Sequence, residues 1–118
     1  GAARETTTTY DTSAASLKLP DAAELFLMRV PVTNTSTTFA LRVYREADYA
    51  GDLPQMIVRQ AGQSDNTDTD TGDAGAWNEL SVTCTPAASP GWVDIFVVSR
   101  NTATSGSYDV FFDAVTVT

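Results

Sequence analysis

Within Thr37-Thr38-Phe39-Ala40-Leu41-Arg42-Val43-Tyr44-Arg45, the large apolar residues recur at every second position from Phe39 to Val43. Phe39, Leu41 and Val43 point one way; Ala40, Arg42 and Tyr44 point the other. That is the pattern of a strand with one face in a core and one face free. Trp92-Val93-Asp94-Ile95-Phe96-Val97-Val98 repeats it, with Val93, Ile95 and Val97 opposite Asp94, Phe96 and Val98. No window carries apolar residues at a sustained three-to-four spacing, so helices are not expected.

Working outward, the same chemistry recurs. Eight short strands are predicted: 6–10, 15–19, 24–32, 37–45, 54–60, 77–83, 92–100 and 108–117, rich in Thr and Val. Gly, Pro, Asn and Ser punctuate the segments between them, as in Asn34-Thr35-Ser36 and Ser89-Pro90-Gly91. The longest connection is 61–76, small, polar and acidic, which reads as a solvated loop. In 24–32 the core set is read as Phe26, Met28, Val30 and Val32. In 108–117 the phase breaks: Val110 and Phe112 share one parity, Val115 and Val117 the other. A β-bulge near Asp113 would return all four to the core. The chain, 1–118, therefore reads as a single all-β domain, an antiparallel two-sheet β-sandwich.

Composition narrows the function. Fifteen acidic residues stand against seven basic ones, a formal net charge of −8. A surface this acidic repels phosphate, which argues against nucleic acid and against an anionic membrane surface. No apolar run reaches membrane-spanning length, and no basic-then-apolar leader opens the chain. There is no histidine, which removes Ser-His-Asp and Cys-His catalysis and most zinc sites. The single cysteine, Cys84, sits in an apolar run and reads as a buried small hydrophobe. No carboxylate pair is marked as tuned for glycoside hydrolysis, so an enzyme is not expected.

The order of segments resembles the galactose-binding-like jelly roll found in carbohydrate-binding modules and in phage virion proteins. Three stretches carry the resemblance: Ser16-Leu17-Lys18-Leu19; Val30-Pro31-Val32 with Leu41-Arg42-Val43-Tyr44-Arg45; and Gly91-Trp92-Val93-Asp94-Ile95-Phe96-Val97 followed by Tyr108-Asp109-Val110-Phe111-Phe112-Asp113-Ala114-Val115. It implies a jelly roll with one sheet face open. It also implies that strands 37–45 and 92–100 are neighbours, so that Arg42, Tyr44, Trp92, Asp94 and Phe96 project together as a ligand-binding group. A structural Ca²⁺ is implied near Asp113, with Glu5, Asp11 and Ser13 as partners, although the family's second closing Asp is Ala114 here. Asp113 reads equally as a carboxylate bonded to backbone N–H groups at a bulge. The acidic run Asp65, Asn66, Asp68, Asp70, Asp73 only superficially resembles an EF-hand, because Gly72 falls one place early for that loop.

Two functions follow. The first is a virion surface or appendage protein, a capsid decoration, head-fibre or tail domain that docks on a repeated protein lattice as an oligomer. The second is a carbohydrate-binding module of a secreted enzyme or adhesin, binding glycan by aromatic stacking. Either places the domain on a virion surface or outside the cell.

Overall fold

The computed structural model describes residues 3–6, 8, 10, 16–19, 23–47, 49, 51–101 and 109–118. These carry nine strands: β1 (Ala3–Glu5), β2 (Ser16–Leu19), β3 (Ala23–Pro31), β4 (Thr37–Arg45), β5 (Gly51–Arg59), β6 (Asn66–Thr69), β7 (Trp77–Cys84), β8 (Trp92–Asn101) and β9 (Val110–Val117). They form a five-stranded sheet, β1-β2-β9-β4-β7, and a four-stranded sheet, β3-β8-β5-β6. Every pairing is antiparallel. Most connections carry the chain from one sheet to the other, so the two layers are built together.

The alternation read from the sequence decides what lies between the layers. Phe39, Leu41 and Val43 of β4, Leu80 and Val82 of β7, and Val110 and Phe112 of β9 face inward from the larger sheet. Met56 and Val58 of β5 and Val93, Ile95 and Val97 of β8 meet them from the smaller one. Each such side chain, taken fully out of water, contributes about 1.5–3 kcal/mol.

Two bulges adjust the pattern. In β9 the register against β4 moves from Arg42–Asp113 to Ala40–Thr116, and Ala114 takes φ 55°. The bulge expected near Asp113 is therefore present. It returns Val115 to the core edge beside Val110 and Phe112. Val117, the last residue of the strand, stays 41% exposed, contrary to the expected set. In β3 the register against β8 slips between Phe26 and Met28. Leu27 absorbs the slip, so Leu25, Leu27, Met28 and Val30 pack on the core while Phe26 turns outward and is 52% exposed. This corrects the core set read from 24–32: a period of two cannot be carried across a bulge.

Two further corrections concern segments. The first strand lies at Ala3–Glu5 rather than 6–10, and Tyr10 instead packs over the larger sheet. The stretch 61–76 is not a plain loop, because Asn66–Thr69 pairs with Gln55–Val58 as β6. Thr67 and Thr69 suit a strand, but the surrounding Asp and Gly residues mask that signal. Cys84 is half-buried at the end of β7, and burial pushes its thiol pKa upward, which keeps the thiolate fraction low and its chemistry slow.

Candidate binding wall

The five residues expected to act together do not share a face. β4 belongs to the larger sheet, between β9 and β7; β8 belongs to the smaller, between β3 and β5. The apolar faces of β4 and β8 look at each other across the core. Their outward residues must then point to opposite sides of the sandwich. Arg42 and Tyr44 stand on one outer wall; Trp92, Asp94 and Phe96 stand on the other.

On the larger sheet, Arg42 and Tyr44 are half-buried under neighbours. The Arg42 guanidinium lies 4.9 Å from the Tyr10 ring centre and its Nη2 lies 3.1 Å from Glu79 Oε2. Tyr44 packs on Trp77 and Phe111 at ring separations of 5.5 and 6.0 Å, and Tyr10 meets Trp77 edge-on at 5.8 Å. The Tyr10 N–H donates to Asp113 Oδ2 at 3.0 Å, and the Ala114 N–H donates to Asp113 Oδ1 at 2.7 Å. The Asp113 carboxylate is thus answered on both oxygens by backbone N–H groups at the bulge. Glu5 is described only through its backbone pairing with Ser16, while Asp11 and Ser13 lie outside the described residues. Among the described residues, no group of three or more Cys, Asp or Glu is placed to hold a metal ion.

The outer wall of the smaller sheet is different. Its cross-strand rows are set by register. Phe26 pairs with Phe96, which pairs with Ile57. Two residues along, Arg29 pairs with Asp94, which pairs with Arg59. Two further, Pro31 pairs with Trp92. Phe26 and Trp92 are 52% and 39% exposed, the largest exposed apolar side chains on this sheet.

The middle row is a ladder of fixed charge. Arg29 donates to Asp94 through Nε at 2.8 Å and Nη2 at 3.1 Å. Arg59 donates to Asp65 through Nε and Nη2, both at 3.0 Å, and to Glu24 Oε1 through Nη1 at 3.1 Å. These forked contacts hold planar guanidiniums in one orientation. The guanidiniums also roof the aromatic rings: Arg29 lies 4.7 Å from the Trp92 ring centre and Arg59 4.5 Å from that of Phe96. Two guanidiniums face three carboxylates, so the wall is close to neutral in a strongly acidic chain.

Hydrogen bonding from Arg29 lowers the Asp94 pKa, and hydrogen bonding from Arg59 lowers that of Asp65. A depressed folded-state value means the pairs stabilise the native wall above the ordinary carboxylate value of 3.8. That contribution is lost as pH falls through the lower folded values. Carboxyl-carbon NMR should give Asp94 and Asp65 midpoints below 3.8. Arg29→Gln should raise the Asp94 midpoint and leave that of Asp65 in place. Equal movement of both would break this account.

Three carboxylates of the acidic run, Asp65, Asp68 and Asp70, are engaged by the protein itself. Asp65 pairs with Arg59, and Asp68 Oδ2 accepts the Ser81 N–H at 2.8 Å. Asp70 is buried against Arg45, and the Asp73 carbonyl accepts from Asn78. Phe26, Arg29, Arg59, Glu24 and Asp65 complete the wall, and the sequence reading had joined none of them to it. For Phe26 the missing signal was the bulge at Leu27. For Arg59 the outward parity was legible, but its neighbour strand was not.

No family model matches the chain, and no curated protein matches it. Among solved structures, the fold is similar to one described as "Family 16 Carbohydrate Binding Module-2", with a TM-score of 0.68 and 14% identity over 99% of this chain and 84% of that chain. Likeness at that identity establishes the carbohydrate-binding-module-like β-sandwich as the fold.

Proposed function

We propose that the domain is a non-catalytic binding module for neutral glycans, with the outer wall of the smaller sheet as its platform. The observation that carries this reading is the pairing of two exposed aromatic positions, Phe26 and Trp92, on either side of a rigid Arg–Asp ladder. Trp92 and Phe96 are four residues apart on β8, roughly 13 Å at strand rise, a span that suits a short oligosaccharide rather than one ring. Apolar sugar faces lie on the exposed parts of Phe26 and Trp92 that the guanidiniums leave open. Hydroxyls donate to the Asp94 and Glu24 oxygens and accept from the Arg29 and Arg59 N–H groups. Because the wall is pre-organised by its own ion pairs, little side-chain freedom is lost on binding. The likeness of the fold to a carbohydrate-binding module supports the same reading. Such a ligand implies a setting outside the cell.

A glycan array followed by calorimetry tests this. Trp92→Ala and Phe26→Ala should each weaken binding about tenfold, equivalent to about 1.4 kcal/mol. Tyr44→Ala, on the opposite wall, should leave affinity unchanged. If no neutral glycan is retained, or if Tyr44→Ala removes binding as fully as Trp92→Ala, the platform is not this wall. Docking on a protein lattice, as on a virion, would then be the reading to pursue, since exposed Trp and Arg also suit protein partners.

A further inference from the structure

One end of the sandwich holds a cleft apart from the wall. A cleft of about 260 Å³ opens between the β5–β6 hairpin and the segment after β7. Its floor is apolar: Val58 and Val93 belong to the core, Pro86 is buried and Cys84 is half-buried. Its rim is amide and hydroxyl, from Gln63, Ser64, Asn66 and Thr85. No charged residue lines it, in a chain with fifteen acids and seven bases.

The cleft is also pre-formed. Gln60 is only 7% exposed. Its Oε1 accepts the Ala87 N–H at 2.7 Å, and its Nε2 donates to the Ala87 and Trp92 carbonyls at 3.1 and 3.3 Å. From the other side, Asn34 Nδ2 donates to the Pro86 carbonyl at 2.6 Å. The 85–87 wall is thus clamped twice. Among the described residues, the side chains of Gln63, Ser64, Asn66 and Thr85 have no protein hydrogen-bond partner, so their donors and acceptors face solvent.

We infer that this cleft is a second binding site, for a single neutral hexopyranose unit. An apolar floor with an uncharged amide and hydroxyl rim recognises a ring that has one apolar face and several hydroxyls. It offers nothing to compensate a charged ligand for lost water. The volume lies just under the range of about 300–1,000 Å³ usual for small-molecule pockets, which suits one ring and not an oligosaccharide. The site shares no side chain with the wall, so it stands or falls separately.

The test is an amide NMR titration of the full chain with methyl gluco-, galacto- and mannopyranosides. At least one should shift the amides of residues 63–66, 84, 85 and 87 saturably, in the native protein and in Trp92→Ala alike. The Asn66→Ala, Thr85→Val double variant should weaken that Kd at least tenfold. Both positions are exposed, and an unchanged thermal melt confirms the fold. The same glycoside at saturation should slow alkylation of Cys84 by iodoacetamide several-fold. Absence of any saturable shift overturns the inference. So does a shift pattern unaltered in the double variant. Loss of the shifts in Trp92→Ala would also overturn it, because binding would then belong to the wall.

Discussion

Asp70→Ala should cost about 3–5 kcal/mol of stability, the penalty for stranding one member of a buried ion pair. The Asp70 side chain is fully buried and that of Arg45 is 10% exposed. Arg45 Nη1 donates to Asp70 Oδ2 at 2.9 Å and to the Asp70 carbonyl at 3.2 Å; Nη2 donates to the Gly72 carbonyl at 2.9 Å. Asp70 Oδ1 accepts from the Gly72 N–H at 3.1 Å and from Asn78 Nδ2 at 3.0 Å. Removing the carboxylate leaves a guanidinium without its counter-charge and frees three elements at once: the end of β4, the turn after β6 and the start of β7. Gly72 shows how tightly that turn is drawn, since a Cβ there would collide with the Asn78 carboxamide. A small domain has only roughly 5–15 kcal/mol to lose, so the variant should be partly unfolded at ordinary temperature. Urea unfolding should show the midpoint falling with the slope unchanged. The Arg45→Met, Asp70→Leu pair should recover much of the loss, because neither charge is then buried alone. A loss under about 1 kcal/mol for Asp70→Ala would mean that water reaches the pair and that the burial argument fails.

The same cluster explains why the acidic run was hard to read. Alternating Asp, Thr and Gly residues in 61–76 have the composition of a solvated loop, and by composition alone no acid stands out. What separates Asp70 from Asp68 and Asp73 is Arg45, twenty-five residues away on another sheet. In the sequence, Arg45 merely ends an alternating strand, on the inward parity of Phe39, Leu41 and Val43. An inward arginine demands a buried acid, and that demand was legible. Its partner was not.

The fold itself was legible where one strand sufficed as evidence. β4 carries its burial alternation from Phe39 to Arg45, and the phase break at Asp113 forecast a bulge that Ala114 supplies. The site was illegible where it depended on which strands are neighbours. Outward parity correctly lifted Trp92, Asp94 and Phe96 from the core, and equally Arg42 and Tyr44. Parity says nothing about which sheet a strand joins, and the crossing of the chain between sheets put the two groups back to back. Apart from Asp65 in the turn before β6, the residues that complete the wall come from β3 and β5, which touch β8 only through long-range pairing.

Phe39→Ala and Phe26→Ala, the same substitution thirteen residues apart, should therefore differ by several kcal/mol. Phe39 is wholly buried in the apolar core, paired with Val82 on one side and Val117 on the other. Truncating it should cost about 3–5 kcal/mol, from lost transfer energy and from the cavity that rigid sheets cannot close. Phe26 faces water over half its surface and touches Phe96 at a ring separation of 5.6 Å. Its truncation forfeits one aromatic contact and opens no cavity, a loss of about 0.5–1.5 kcal/mol. The contrast is a direct test of the slip at Leu27. Without that bulge, strict alternation would put Phe26 inward with Met28 and Val30, and the two variants would melt alike. Paired thermal and urea unfolding of both variants decides it, and equal losses would place Phe26 back in the core and remove one of the two aromatic flanks from the glycan platform.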